Sequence, residues 1–230
     1  MKKLILLLAV LPLMALSQNS ENRSVRIPPG HFANRADWSC PENSIFSQTF
    51  GFQWLYTSDM EYGYKVYDNF SASSGFNIVT FWGVMFNFPT GTNCTNGLNS
   101  FRISFYDDDA GAIGSLQSFF DVFVTVDYVA TGFGFDTYKF SANLGTMMYL
   151  NQGWISIEGN TNDGNECVFM WCDSYDGDLN GYQENGEGWV ANDFAFCLSN
   201  GNEVPISNWA IIVGIGLIVT LAVIRLRKAA

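Results

Sequence analysis

The sequence predicts an all-β protein, an antiparallel β-sandwich of jelly-roll type, on three observations. From Ser100 to Val126 apolar residues recur at every second position: Phe101, Ile103 and Phe105 alternate with Arg102, Ser104 and Tyr106, and a second alternation runs Leu116, Ser118, Phe120, Val122, Val124, Val126. Seven or eight such segments follow one another, divided by glycine and asparagine clusters at 91–97, 159–165 and 177–188, with no helical stretch of ten residues among them. Phe, Trp and Tyr make up 16% of the chain, enough aromatic surface for a dense core. No internal repeat is visible, which argues against a propeller or solenoid.

At 230 residues the chain holds one domain of ordinary size with a processing segment at each end. Residues 1–17 read as a secretory signal peptide: Lys2 and Lys3, an apolar run from Leu4 to Leu16, then small residues at Ala15 and Ser17 before Gln18. Residues 18–44 mix Asn, Ser, Arg and Pro around Pro28-Pro29-Gly30 and predict an exposed lead-in. The sandwich domain is expected over 45–200. Its strands are expected at Tyr64 to Phe70, Asn77 to Asn87, Ser100 to Tyr106, Ser115 to Tyr128, Thr137 to Asn143, Gly153 to Glu158, Val168 to Trp171 and Phe194 to Leu198. Asp107-Asp108-Asp109-Ala110-Gly111 is expected as a solvated hairpin connection.

Residues 201–230 form a tail. Ile206 to Ile224 would reach about 28 Å as a helix at roughly 1.5 Å per residue, close to the thickness of a bilayer core. Trp209 stands at its outer edge, and Arg225, Arg227 and Lys228 follow it, so the positive-inside rule places the end in the cytoplasm. With six basic and 22 acidic residues between Gln18 and Val204, that interval carries a charge of −16. Such a field repels phosphate backbones, which argues against nucleic acid as a partner.

Val204-Pro205-Ile206-Ser207-Asn208-Trp209, then the span, then Arg225, Arg227 and Lys228, resembles the C-terminal sorting tails handled by exosortase-type transpeptidases of Gram-negative bacteria. The Pro-Ile-Ser-x-Trp order is close to the variant built on Pro, Leu, Ser and Trp, and the Glu of the Pro-Glu-Pro variant is absent. The resemblance implies a sorting transpeptidase and the membrane as partners. It also implies export to the cell surface or beyond, the alternative being a plain anchor that holds the domain in the periplasm. Tyr67-Asp68-Asn69-Phe70, Phe81-Trp82-Gly83, Phe101 to Gly111, Trp154-Ile155-Ser156-Ile157 and the closing Asp193-Phe194-Ala195-Phe196 resemble bacterial exported jelly-roll domains often found with such tails. That family has no established activity, so the resemblance bears on the fold.

Five cysteines remain in the expected mature chain. In an oxidising compartment disulfides are expected, with one thiol left over. Cys172 and Cys197 are the preferred pair, on the premise that their strands are antiparallel neighbours. A zinc site on Cys167 and Cys172 lacks any accompanying histidine.

The single histidine, His31, lies in the lead-in, so a His-based catalytic site would need the segment farthest from any predicted strand. The expectation is therefore a non-enzyme with a structural, matrix or adhesion role. Asp176-Gly177-Asp178-Leu179-Asn180-Gly181-Tyr182-Gln183-Glu184-Asn185-Gly186-Glu187 fits the twelve-residue calcium loop. Asp176, Asp178, Asn180 and Glu187 would supply side-chain oxygens and Tyr182 a carbonyl. Gln183 stands where an aliphatic normally packs, and no helix can begin in the glycines that follow. Asp107 to Asp109 form a weaker cation candidate. Tyr182 and Trp189, placed in a long loop, are candidate platforms for an extracellular glycan, which makes a carbohydrate-binding module the alternative reading. Trp82, Trp154 and Trp171 fall inside strands and are expected in the core. A hydrolase working through paired carboxylates comes third.

Overall fold

The computed structural model describes residues 24–26, 38–87, 89–94, 100–132, 134–160 and 167–201. The expected signal peptide, most of the expected lead-in with His31, and the tail with its span at 206–224 lie outside the described residues. Among the described residues no helix is long and apolar enough to cross a membrane.

The described chain is all-β. Its strands are β1 (Ser24–Arg26), β2 (Ser44–Gln48), β3 (Phe50–Thr57), β4 (Lys65–Ser71), β5 (Phe76–Asn87), β6 (Thr92–Asn93), β7 (Ser100–Asp109) and β8 (Ala112–Gly132). They continue with β9 (Phe135–Met148), β10 (Gln152–Gly159), β11 (Cys167–Ser174), β12 (Gly181–Glu184), β13 (Gly188–Val190), β14 (Asp193–Phe194) and β15 (Phe196–Ser199). Their main path is one antiparallel sheet in the order β1-β3-β11-β5-β9-β8-β7-β10-β4-β12-β13. The long strand β8 joins its two halves: residues up to Phe123 pair with β7, and those from Val124 onward pair with β9. A strand of this length follows the sheet's twist far enough to pass from one half to the other, and the sheet curls so that the halves share a core.

Four phenylalanines mark where they meet. Phe81 on β5, Phe140 on β9 and Phe169 on β11 come from the first half, and Phe101 on β7 from the second; their ring centroids lie 4.9 to 5.7 Å apart, mostly edge to face. Gly83 makes room for this cluster, since a Cβ there would stand 2.2 Å from Cε2 of Phe169 and 2.7 Å from the Met170 carbonyl oxygen. Trp82, Trp154 and Trp171 are fully buried, as expected of tryptophans placed inside strands.

The structure corrects two expectations. The hairpin connection after Tyr106 is shorter than read: Asp107 to Asp109 belong to β7, and Asp109 pairs with Ala112 across only Ala110 and Gly111. Both turn residues have φ in the left-handed region, 54° and 88°, the geometry that matches a two-residue turn to strand twist. The disulfides are Cys40–Cys197 and Cys94–Cys167, and Cys172 is a free, buried thiol. The expected Cys172–Cys197 pair fails because β11 and β15 are not side by side. They follow each other along one edge of β5, β11 on residues 83 to 87 and β15 on residues 78 to 81. Ala195 is the crossing point, its N–H bonding the Cys172 carbonyl and its carbonyl accepting from Trp82 N–H. Cys197 is met instead by Cys40. The expected lead-in is thus fastened at Cys40, at Trp38, whose ring stacks on Phe50 at 4.0 Å, and at β1, which pairs with β3. The two disulfides fit an oxidising compartment.

Candidate functional site

The segment 175–190 carries both ligand candidates of the sequence, and the structure divides them. After β11 the chain loops through Asp176 to Asn180, and β12 then pairs with β4 and turns back as β13. Tyr182 and Trp189 therefore face each other across a hairpin instead of lying in a long loop. Asn185-Gly186 in the turn was the legible signal, Asn185 taking φ of 59°.

Asp176, Asp178 and Asn180 line one cleft of about 380 Å³ together with Asn69, Asp108 and Gln152. The two acidic stretches of the sequence thus meet at one end of the sheet, although they are far apart in the chain. Their carboxylates are engaged. Asp176 accepts from the hydroxyl and the amide of Thr49, Asp178 from the Asn69 side chain at 2.9 Å, and Asp108 from Gln152 at 2.6 Å and from the Gly111 amide at 3.0 Å. Among the described residues, no group of three His, Cys, Asp or Glu side chains is arranged to hold a metal ion.

Behind this cleft lie two buried carboxyls that the sequence reading did not single out. Asp193 Oδ1 accepts from the amides of Leu179 and Asn180 at 2.9 and 3.4 Å and so shapes the loop. Asp68 Oδ2 accepts from the Phe194 amide at 2.7 Å and Oδ1 from the Asn69 amide at 2.8 Å. With its amide nitrogen turned toward the acceptors, Gln48 donates to Asp68 Oδ2 and to the Phe194 carbonyl at 2.6 and 2.8 Å. Burial drives the Asp68 carboxyl well above the usual carboxylate range against the pull of the Phe194 amide, with Asp193 and Asp178 adding repulsion. Asp193 is raised by burial too, opposed by its amide donors. No spacing in the sequence distinguishes these two from surface acids.

Glu187 faces elsewhere. With Ser24, Trp54, Tyr56, Trp189 and Val190 it lines a groove of about 300 Å³ where β1 and β3, at one end of the sheet, approach β13 at the other. The Ser24 hydroxyl bonds Glu187 at 3.3 Å across the gap. Tyr56 OH accepts from Asn192 at 2.6 Å, and burial pushes its phenol up to about 12. Trp189 is 55% exposed yet held from behind, with its ring centroid 5.1 Å from Tyr182 and 5.7 Å from Trp154. This row continues over the outer face of the second half through Tyr67, 5.9 Å from Tyr182, to Tyr106, 5.3 Å from Tyr67. Lys65 lies 5.7 Å from both of those last rings and pairs with Glu158 at 2.9 Å.

The positions of the expected calcium loop are accordingly spread. Asp176, Asp178 and Asn180 share the acidic cleft, Tyr182 sits in a strand between Tyr67 and Trp189, and Glu187 lies at the aromatic groove. The sorting residues Val204 to Trp209 and Arg225 to Lys228 lie outside the described residues. Comparison of the chain with family models, with curated proteins and with solved structures finds no match.

Proposed function

We propose that this is an exported, surface-displayed, non-catalytic β-sandwich protein with a structural or adhesive role. The observation that carries the reading is the pair of disulfides, of which Cys40–Cys197 ties the segment before the first long strands to the last strand. Crosslinks of this kind belong to proteins that work outside reducing compartments, where a closed body resists unfolding by constraining the denatured chain. The jelly-roll reading is supported by the shared core between two antiparallel half-sheets, and the acidic surface suits a soluble body on an aromatic core. Delivery is through the signal peptide and the sorting tail of the sequence. Retention in the inner membrane, with the domain in the periplasm, is the alternative fate.

Calcium is the cation we propose for the acidic cleft, with Asp176, Asp178 and Asn180 as the oxygen donors that face it. A cation there would offset the mutual repulsion of acids that the fold already brings together.

Cell fractionation with surface proteolysis, non-reducing electrophoresis and the mass of the mature C-terminus test the display reading. The expected result is a crosslinked protein outside the cytoplasm that lacks everything beyond the Val204 region. A reduced cytoplasmic protein would refute export, and an intact terminus would identify a retained anchor. For calcium, a hundredfold excess over the dissociation constant should stabilise the fold by about 2.7 kcal/mol. An unchanged melting curve between excess calcium and excess chelator would remove the metal.

A further inference from the structure

We infer that the groove between the two ends of the curled sheet binds a neutral oligosaccharide, with Trp54 and Trp189 as its stacking walls. The inference rests on the display reading only for the place where such a ligand would be met.

The groove combines two kinds of surface. Trp54 and Tyr56 come from β3 and Trp189 and Val190 from β13, so aromatic walls stand on both sides of a cleft of about 300 Å³, the lower end of the range for ligand sites. Glu187 and Ser24 also line it, and Asn192 fixes the Tyr56 hydroxyl beside it. A sugar ring has the matching make-up, with apolar C–H faces that stack on an aromatic ring and a rim of hydroxyls that need acceptors and donors. A lipid tail or an apolar peptide would desolvate the Glu187 carboxylate and bring no donor to it.

Pre-organisation singles out Trp189. An exposed tryptophan on an edge strand ordinarily loses side-chain freedom when it binds. Here Trp154 and Tyr182 already hold the ring from behind, which cuts the ordering cost of binding. Trp154 itself is fully buried beneath this layer, so the support is fixed.

Charge selects the class of saccharide. Glu187 stands in the groove, Glu184 bonds the Tyr67 hydroxyl at 2.6 Å on the adjoining face, and the interval from Gln18 to Val204 carries −16. A uronic-acid or sulfated polymer would be repelled, whereas a neutral glycan pays no such penalty.

The test is isothermal calorimetry on the full chain with cellohexaose, mannohexaose and N-acetylchitohexaose, and with polygalacturonate as the anionic comparison. At least one neutral hexasaccharide is expected to bind and polygalacturonate not to bind. Trp189→Ala and Trp54→Ala should each weaken binding on the order of tenfold, as truncation of an aromatic anchor does, while Trp189→Phe keeps part of it. Should an alanine variant fail to melt cooperatively, Glu187→Gln, which leaves the packing in place, replaces it and is expected to weaken binding severalfold. Three outcomes would each overturn the assignment: no neutral hexasaccharide binding at millimolar concentration, binding that these substitutions leave unchanged, and preference for polygalacturonate. Each would leave the export reading standing, since that is decided by fractionation.

Discussion

The two outer faces of the curled sheet are finished in different ways. On the first half, Trp82, Val84, Met170 and Cys172 point away from the shared core yet are fully buried, packed with Trp38, Cys40 and Phe50. Trp38 and Cys40, before β2, lie over this face, and Cys40–Cys197 holds them there. On the second half, Tyr67, Tyr106, Trp154, Tyr182 and Trp189 form a layer made by the strands' own side chains, bridged by the Lys65–Glu158 pair and leaving Trp189 open. The difference teaches which aromatic residues serve stability and which remain available. Aromatic residues sealed by the chain itself contribute burial, whereas those buttressed from behind and open in front have the arrangement a ligand needs.

Truncating the sealed face should have the largest effect. Trp82→Ala removes a fully buried indole and is expected to cost about 3–5 kcal/mol in chemical denaturation. Trp189→Ala on the open face should cost far less stability; equal losses would abolish the contrast between the faces. Removing the fastening is the next test. Replacing Cys40 and Cys197 together by alanine should destabilise the protein by about 2–5 kcal/mol and raise hydrogen exchange in the first half before the second.

The pH dependence sharpens the comparison at the acidic end. The folded pKa of Asp68 is raised above its ordinary 3.8, so the folded state holds this proton more tightly than the unfolded chain does. Its contribution to stability is fully present below that ordinary value and is lost as pH rises through the raised one. Asp193, raised as well, acts with the same sign. Denaturation midpoints should therefore fall from acid toward neutral pH in this window, and Asp68→Asn should flatten the decline. An unaltered slope would show that Asp68 is not the group responsible.

The smallest effect is expected at Arg102, which reaches Asp121 through Nε and Nη2 at 2.7 and 2.8 Å and lies 4.8 Å from the Phe119 ring. Solvent screens this pair, and Arg102→Ala should change stability by less than about 1 kcal/mol. Thermal melts at low and high salt would expose a larger contribution.

Strand identity was legible where alternation ran long. Lys65–Ser71, Phe76–Asn87 and Gln152–Gly159 appear close to their expected limits because a buried face imposes a two-residue period. The short pair β12 and β13 was missed, since three or four residues cannot display a period and their pairing with β4 comes from a strand distant in the chain. The candidate site was half legible. Trp189 and Tyr182 stood out by type and position. Trp54 did not, and Asp68 and Asp193 stood out only within motifs of the fold resemblance, because nothing along the chain marks them as buried acids of a site.

The sequence by itself determined the β class, the burial of Trp82, Trp154 and Trp171, and the acidic character of the body, since each follows from residue type and local period. Only the tertiary structure decided the disulfide partners, the convergence of Asp108 with Asp176 and Asp178, and the groove between Trp54 and Trp189. These depend on which strands become neighbours and where the ends of a curled sheet arrive, and that is set by packing among residues far apart in the chain.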